Sequence, residues 1–337
     1  MLDRILPLIV ALLPVIVFLT SLVLLDSFKL VRLATVLWTI LAGALVALLC
    51  YAVNTAVLAT TRIETTTLTR YIAPVIEELS KAAFLLVLIR ANKVGFMVDA
   101  AIRGFAIGTG FAILENLHYI QMRPDAHLLI WVIRGFGTAL MHGGTTAIVG
   151  VAAKALLDRA DRWSLSLTIP GLLLAIVLHA VYNHFFMSPL VSTLFILVAL
   201  PLVTVVVFRQ SENATRDWLG HGFDIDREVL GMITSGALAE NPIGQYLHSL
   251  KDRFLPEAVA DMLCLLRVHS ELAIKAKGVL LMKEAGFDVP ADPEAAASLE
   301  EMRFLHKSIG PTGLLALRPF LGGRARDLWQ LNLLSAK

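Results

Sequence analysis

Residues 33–58 read LATVLWTILAGALVALLCYAVNTAVL, an uninterrupted run without a charged side chain. A helix needs about 20 such residues to cross ~30 Å of hydrocarbon, and only a helix pairs all its own backbone amides there. The run therefore belongs to a transmembrane span, placed at 31–58. Similar runs at about 5–25, 71–90, 98–121, 128–154, 166–187 and 189–208 bring the predicted total to seven. The first is read as a retained span, because it is long and lacks a small-residue cleavage site before Asp26. Composition agrees, with 57% hydrophobic and 17% charged residues and a mean hydropathy of +0.74. Soluble domains hold about half apolar and a quarter charged residues. A net charge of +2 gives no reason to expect a nucleic-acid partner. Cys50 and Cys264 are too isolated for a disulfide framework or a metal motif.

The fold class is thus all-α: a polytopic transmembrane helix bundle over 1–208, followed by a soluble helical domain over 209–337. Orientation follows from Lys and Arg in the short connections, since cytoplasmic loops collect positive charge. With seven spans, Lys29, Arg32, Arg90, Lys93, Lys154, Arg159, Arg162, Arg209 and Arg216 share one side. Arg4, Arg62, Arg70 and Arg123 share the other. This bias puts the N-terminus outside and the C-terminal domain in the cytoplasm of a multi-pass cell-membrane protein; gaining or losing one span reverses one end. After Arg209 charged residues such as Lys251, Asp252, Glu271 and Lys275 alternate with apolar ones. A long amphipathic helix is predicted from Pro256 to Gly286, and a second from the Asp292-Pro293 cap to Gly310. No acids, histidines or glycines cluster there at catalytic spacing, so the region reads as an interaction or regulatory domain for a cytoplasmic partner.

The charged residues inside the spans carry the chemistry. Glu77, Glu78 and Lys81 lie in the third span, within Pro74-Val75-Ile76-Glu77-Glu78-Leu79-Ser80-Lys81. Glu115 lies in the fourth, His142 in the fifth, and His179 with Asn183 in the sixth. Each charge near a helix centre costs about 2.5–3.5 kcal/mol on insertion scales, so these groups must face one another or water. Depth brings them together: the glutamate pair is about seven residues, roughly 10 Å, into an inward-running span. Glu115 and His179 stand at about the same depth before the outer ends of outward-running spans. Asn183 is one turn farther out on the His179 face, and His142 lies deeper.

Taken singly, each residue has a plainer account. Glu77 and Lys81 are spaced for an i to i+4 ion pair. Glu115 is a counter-charge for Arg134 or Arg103, His142 a hydrogen-bonded core histidine, and His179/Asn183 an interhelical contact. His118, His127 and His184 read as interfacial or packing residues, and Gly104, Gly108, Gly110, Gly143 and Gly144 as points of close helix approach. Together the polar residues fit hydrolysis. A carboxylate beside a second acid can hold a water and take its proton, while imidazole and amide groups stabilise an oxyanion.

The ordered motifs Glu77-Glu78-x-x-Lys81, Phe111-x-x-x-Glu115 with Asn116 and Tyr119, His142, and His179-x-x-x-Asn183 resemble the PrsW family of intramembrane proteases. That family belongs to the wider group of CAAX prenyl proteases and bacteriocin-processing enzymes. The CAAX branch typically has histidine in the second motif, so Glu115 favours the PrsW side. The resemblance covers about residues 71–187 and not the C-terminal domain. It implies peptide-bond hydrolysis in or beside the lipid bilayer, on a membrane-protein or peptide substrate, with regulated release of anti-sigma factors as one family theme. By position, Glu77 and Glu78 would activate water, His179 with Asn183 would bind the oxyanion, and Glu115 with His142 would orient water or a metal. The family is often labelled metalloprotease, and Glu78, Glu115, His142 and His179 are then the candidate ligands for zinc or another divalent metal. No His-Glu-x-x-His helix occurs, so a glutamate mechanism that requires no metal is placed first. The alternatives are a proton- or cation-coupled transporter and a non-catalytic membrane scaffold.

Overall fold

The structure, a computed structural model, describes residues 2–160, 163–237, 241–290, 292–321, 329–331 and 333–334. Arg162, counted above among the cytoplasmic charges, lies outside them. Among the described residues every regular element is helical. The chain divides into two compact units between Glu212 and Asn213.

The first unit contains α1 (Leu2–Leu24), α2 (Leu33–Thr61), the short α3 (Thr65–Thr67), α4 (Ala73–Arg90), α5 (Met97–Met122), α6 (Leu128–Ile133), α7 (Leu140–Ala160), α8 (Ile169–His184) and the apolar start of α9 (Pro189–Thr234). Among the described residues six segments are long and apolar enough to cross a membrane: Ile5–Leu24, Leu33–Thr61, Met97–Met122, Leu128–Ala160, Leu165–His184 and Pro189–Thr234. Each overlaps a predicted span. The predicted span at 71–90 differs, because α4 is an 18-residue helix carrying Glu77, Glu78, Lys81 and Arg90. Its neighbours α2, α5, α7 and α8 pack against one side of it, so protein and not lipid solvates Glu77, Glu78 and Lys81. The end of α9 also differs from the limit of 208. No Gly or Pro interrupts residues 202–219, and the helix continues to Thr234.

Helix α5 is the most enclosed, with residues 98–112 buried without a break. Glycine sets how near its neighbours come. A Cβ at Gly108 would stand 2.2 Å from the His142 carbonyl oxygen on α7, and one at Gly110 would stand 1.8 Å from the Ile40 carbonyl oxygen on α2. Bare backbone at both places lets three helices stack at close range. Two π-helical turns, Leu68–Ile72 and Arg134–Ala139, lead directly into α4 and α7.

The second unit contains the end of α9, then α10 (Pro242–Ser249), α11 (Pro256–Glu284) and α12 (Pro293–Leu317). The Asp292 side chain caps α12 by accepting the Glu294 N–H, and Gly310 breaks it at a φ of 70° just before Pro311. Met262, Leu265 and Leu266 of α11 pack with Leu299, Met302 and Leu305 of α12 to form this unit's core.

The close approach at Gly110 is testable. Gly110→Ala is expected to destabilise the protein by at least about 1–3 kcal/mol, since a backbone carbonyl cannot swing aside. Gly231→Ala, with nothing within 4 Å of the added methyl, should be neutral or stabilising by up to about 0.5–1 kcal/mol. Thermal unfolding in detergent compares them. A Gly110→Ala protein melting with the wild type would refute the tight α2–α5 contact.

Candidate active site

Neighbouring residues on a helix point about 100° apart. Glu77 and Glu78 therefore leave the second turn of α4 in different directions and meet different surroundings. Glu78 is fully buried. Its Oε1 accepts from Lys81 Nζ at 2.6 Å and Thr145 Oγ1 at 3.1 Å, and lies 2.8 Å from His179 Nδ1. Its other oxygen, Oε2, is buried without a hydrogen-bond partner. Glu77 is held loosely: Asn54 Nδ2 approaches Oε1 at 3.4 Å, and His179 Nε2 stands 3.8 Å from Oε2.

The two imidazoles are fixed in opposite senses. Lys81 Nζ lies 3.2 Å from His142 Nδ1. An ammonium can only donate, so Nδ1 accepts and Nε2–H donates to Glu115 Oε2 at 3.0 Å. For His179 the order reverses, because Nδ1 faces the Glu78 carboxylate and must carry the proton. In the neutral ring its Nε2 then turns a lone pair toward Glu77. Two acceptors 3.8 Å apart attract only across something that shares hydrogen or positive charge with both. The rings themselves meet edge to face, with centroids 4.8 Å apart.

Charge is distributed pair by pair. Lys81 neutralises Glu78, and the Arg134 guanidinium lies 3.2 Å from Glu115 Oε2. Glu115 is thus paired with Arg134, one of the two partners weighed from sequence; Arg103 instead binds Asp99 at 2.5 Å. The Glu77/Lys81 pair weighed as the plainer account of these residues does not form, and Lys81 instead pairs with Glu78 at i to i+3. Both spacings bring side chains together on a helix, so spacing alone does not choose between them. Glu77 is left without a cation of its own among these contacts.

Glu77, Glu78, Glu115, His142 and His179 are joined in one contact network, as the depth argument expected. Asn183 is not. Its amide donates to the Thr69 carbonyl at 2.9 Å, tying the end of α8 to the π-helical turn before α4. The histidines expected to be peripheral are so: His118 packs on Tyr51, His127 caps α6, and His184 meets Tyr71. Asn54 and Thr145 went unassigned in the sequence reading of the site, and Arg134 entered it only as a counter-charge for Glu115. Asn54 and Arg134 left a signal, as polar residues inside apolar runs. Thr145 left none, since threonine satisfies its hydroxyl within any helix.

The donors suit a divalent metal. One ligand atom each from Glu77, His142 and His179 lie within 4.8 Å of one another. Two imidazoles and a carboxylate are a zinc-type set. Metal-bound histidines commonly lean on a carboxylate through the other ring nitrogen, as His179 does on Glu78 and His142 on Glu115. His179 has Nε2 available, whereas His142 would have to exchange the Lys81 contact at Nδ1. This set differs from the expected ligands, because Glu78 and Glu115 stand behind the imidazoles and Glu77 beside them.

A sequence model described as PrsW family intramembrane metalloprotease matches residues 29–208, more than half of the chain. The match spans the whole network. No curated protein and no solved structure matches the chain.

The Glu78–Lys81 pair makes a stability prediction. Lys81→Met alone strands a buried carboxylate and should cost about 3–5 kcal/mol, whereas Glu78→Gln with Lys81→Met should cost clearly less than the sum of the two single changes. Thermal unfolding of the four proteins supplies the cycle, and strictly additive losses would show that the pair is not coupled.

Proposed function

The chain belongs to the PrsW family of intramembrane metalloproteases, and from that premise we propose that Glu77 is the base that activates water in this peptidase. The observation carrying the choice is that Lys81 is committed to Glu78 and Arg134 to Glu115, while Glu77 Oε2 and His179 Nε2 face each other at 3.8 Å, both acceptors when the ring is neutral. One water donating to both would have its lone pair directed away from them, toward a bound peptide carbonyl. As its oxygen bonds to the carbonyl carbon, its proton passes to Glu77. The carbon–nitrogen bond then breaks as that proton moves to the leaving nitrogen, giving a carboxylic acid end and an amine end. Glu78, held from three sides, keeps His179 turned toward Glu77. Asn183, engaged with Thr69, has a positioning role in this scheme in place of oxyanion binding.

The donor geometry favours a second reading in which Glu77, His142 and His179 hold a zinc-type ion. When bound, such an ion lowers the pKa of water and polarises a carbonyl. Glu77 is then a ligand, and the unpartnered Oε2 of Glu78 is the oxygen left to take the proton. For the substrate we propose a membrane-anchored protein, with an anti-sigma factor as the regulatory case. The C-terminal unit is proposed to lie in the cytoplasm and bind a partner there, on the loop-charge bias obtained with α4 counted as a crossing.

Glu77→Gln should lower cleavage by about 10²–10⁴-fold while leaving the melting temperature near wild type. Comparative proteomics of membrane-protein fragments from cells carrying either form identifies the substrate and measures the loss; undiminished fragments would reject Glu77 as base. Cleavage by chelator-stripped protein separates the two readings, because full activity without metal rejects the second. For orientation, a reporter fused after Arg216 should be active only as a cytoplasmic fusion, and extracytoplasmic activity would reverse the assignment.

A further inference from the structure

Arg134 is the first residue of the π-helical turn Arg134–Ala139, on the chain leading into α7 and His142. Its guanidinium is engaged on three sides. Nε donates to Asn116 Oδ1 at 2.8 Å, the Nη2 nitrogen lies 3.2 Å from Glu115 Oε2, and Cζ sits 3.7 Å from the Tyr119 ring centroid. Asn116 is itself anchored, its amide donating to the Ala11 carbonyl on α1 at 2.9 Å. A planar guanidinium stacked on an aromatic ring and hydrogen-bonded through Nε in its own plane has little freedom to rotate, and that holds Nη2 against Glu115 as an ion pair without a directed hydrogen bond.

The consequence passes through Glu115. A carboxylate at the end of a glutamate side chain has several rotamers, and His142 can follow whichever one it bonds. With the guanidinium fixed by Asn116 and Tyr119, its charge holds Glu115 Oε2 on that side, and the His142 Nε2–H bond to the same oxygen sets the plane of the ring. That plane decides where Nδ1 points and how the ring meets His179, edge to face at 89°.

We propose that Arg134 is a positioning residue for proteolysis, a rigid fork that sets the orientation of His142 by holding Glu115 and never touches the reacting atoms itself. The proposal rests on the hydrolytic reading of the same site. It differs from simple charge neutralisation in one respect: neutralisation needs only a cation, whereas positioning needs a planar group that Asn116 and Tyr119 hold in one orientation while its outer nitrogen meets Glu115. Lysine offers the charge without the fork.

The test uses the full-length protein in detergent, with a synthetic peptide spanning the cleavage site found by the fragment comparison. Arg134→Met should lower kcat by about 10–100-fold, the usual cost of losing a group that orients an active-site histidine, with KM little changed. Arg134→Lys should restore the melting temperature toward wild type yet leave kcat low. In a Glu115→Gln background, Arg134→Met should bring no further loss of kcat, because the arginine acts only through that carboxylate. Recovery of kcat by lysine would reduce Arg134 to a counter-charge and overturn the proposal. So would an equal loss of kcat in both backgrounds, or a loss accounted for wholly by unfolded protein. Glu77→Gln assayed alongside reports on the hydrolytic reading separately, since turnover undiminished there would reject that reading whatever Arg134 does.

Discussion

A carboxylate enclosed in a lipid-embedded bundle must be neutralised by protein, and the arrangement around Glu78 follows from that requirement. The cost of withdrawing such a charge from water is several kcal/mol even after relaxation. Lys81 answers it from the next turn of the same helix, but one cation on one oxygen leaves other capacity to satisfy. Thr145 and His179 add to the Lys81 contact from α7 and α8, both on the same Oε1, while Oε2 stays without a partner. The ion pair therefore acts as a tether among helices far apart in sequence, and it explains why α4, despite its charge, sits among apolar neighbours. Once Glu78 is fixed, His179 is fixed, and through Lys81 so is one nitrogen of His142. Glycine does the complementary work on α5. Without the bare backbone of Gly108 against the His142 carbonyl, Glu115 would stand too far from the ring it holds.

The helical, membrane-embedded character was legible because lipid permits so few solutions to backbone pairing, and residues such as 33–58 allow only one. The cluster was legible for a related reason: charges at matching depth on neighbouring spans have nowhere to go but toward each other. Finer choices were not. Lys81 had suitable partners at both i−3 and i−4, and the selection of Glu78 depends on Thr145 and His179 approaching that side of α4. Asn183 shares a face with His179, but one turn along a helix is about 5.4 Å, enough for its amide to reach Thr69. The continuation of α9 past residue 208 could not be read from hydropathy, which reports where lipid ends and says little about where a helix does.

What is legible also divides by layer. The residues that meet at the centre are acids and histidines, conspicuous in any apolar run. Those that fix them in place are Asn54, Thr145, Asn116 and Arg134, and three of these are uncharged residues that bundles use widely for ordinary packing. Their significance emerges only from the direction of each hydrogen bond. The second unit presents the opposite case. Its long helices were readable from Pro256 and from the Asp292-Pro293 cap, because end signals act locally.

The π-helical turn at Arg134–Ala139 bears on how this chain can change over evolutionary time. Such a turn holds one residue more than its α-helical equivalent, and inserted residues are a recognised way for a helix to change phase near a functional centre. Deleting a single residue there would regularise the helix, yet would rotate everything before it by about 100° relative to everything after it. Arg134 lies before the break and His142 after it. The length of this segment is thus constrained as well as its composition, and a gap in it would uncouple the two groups more thoroughly than most substitutions.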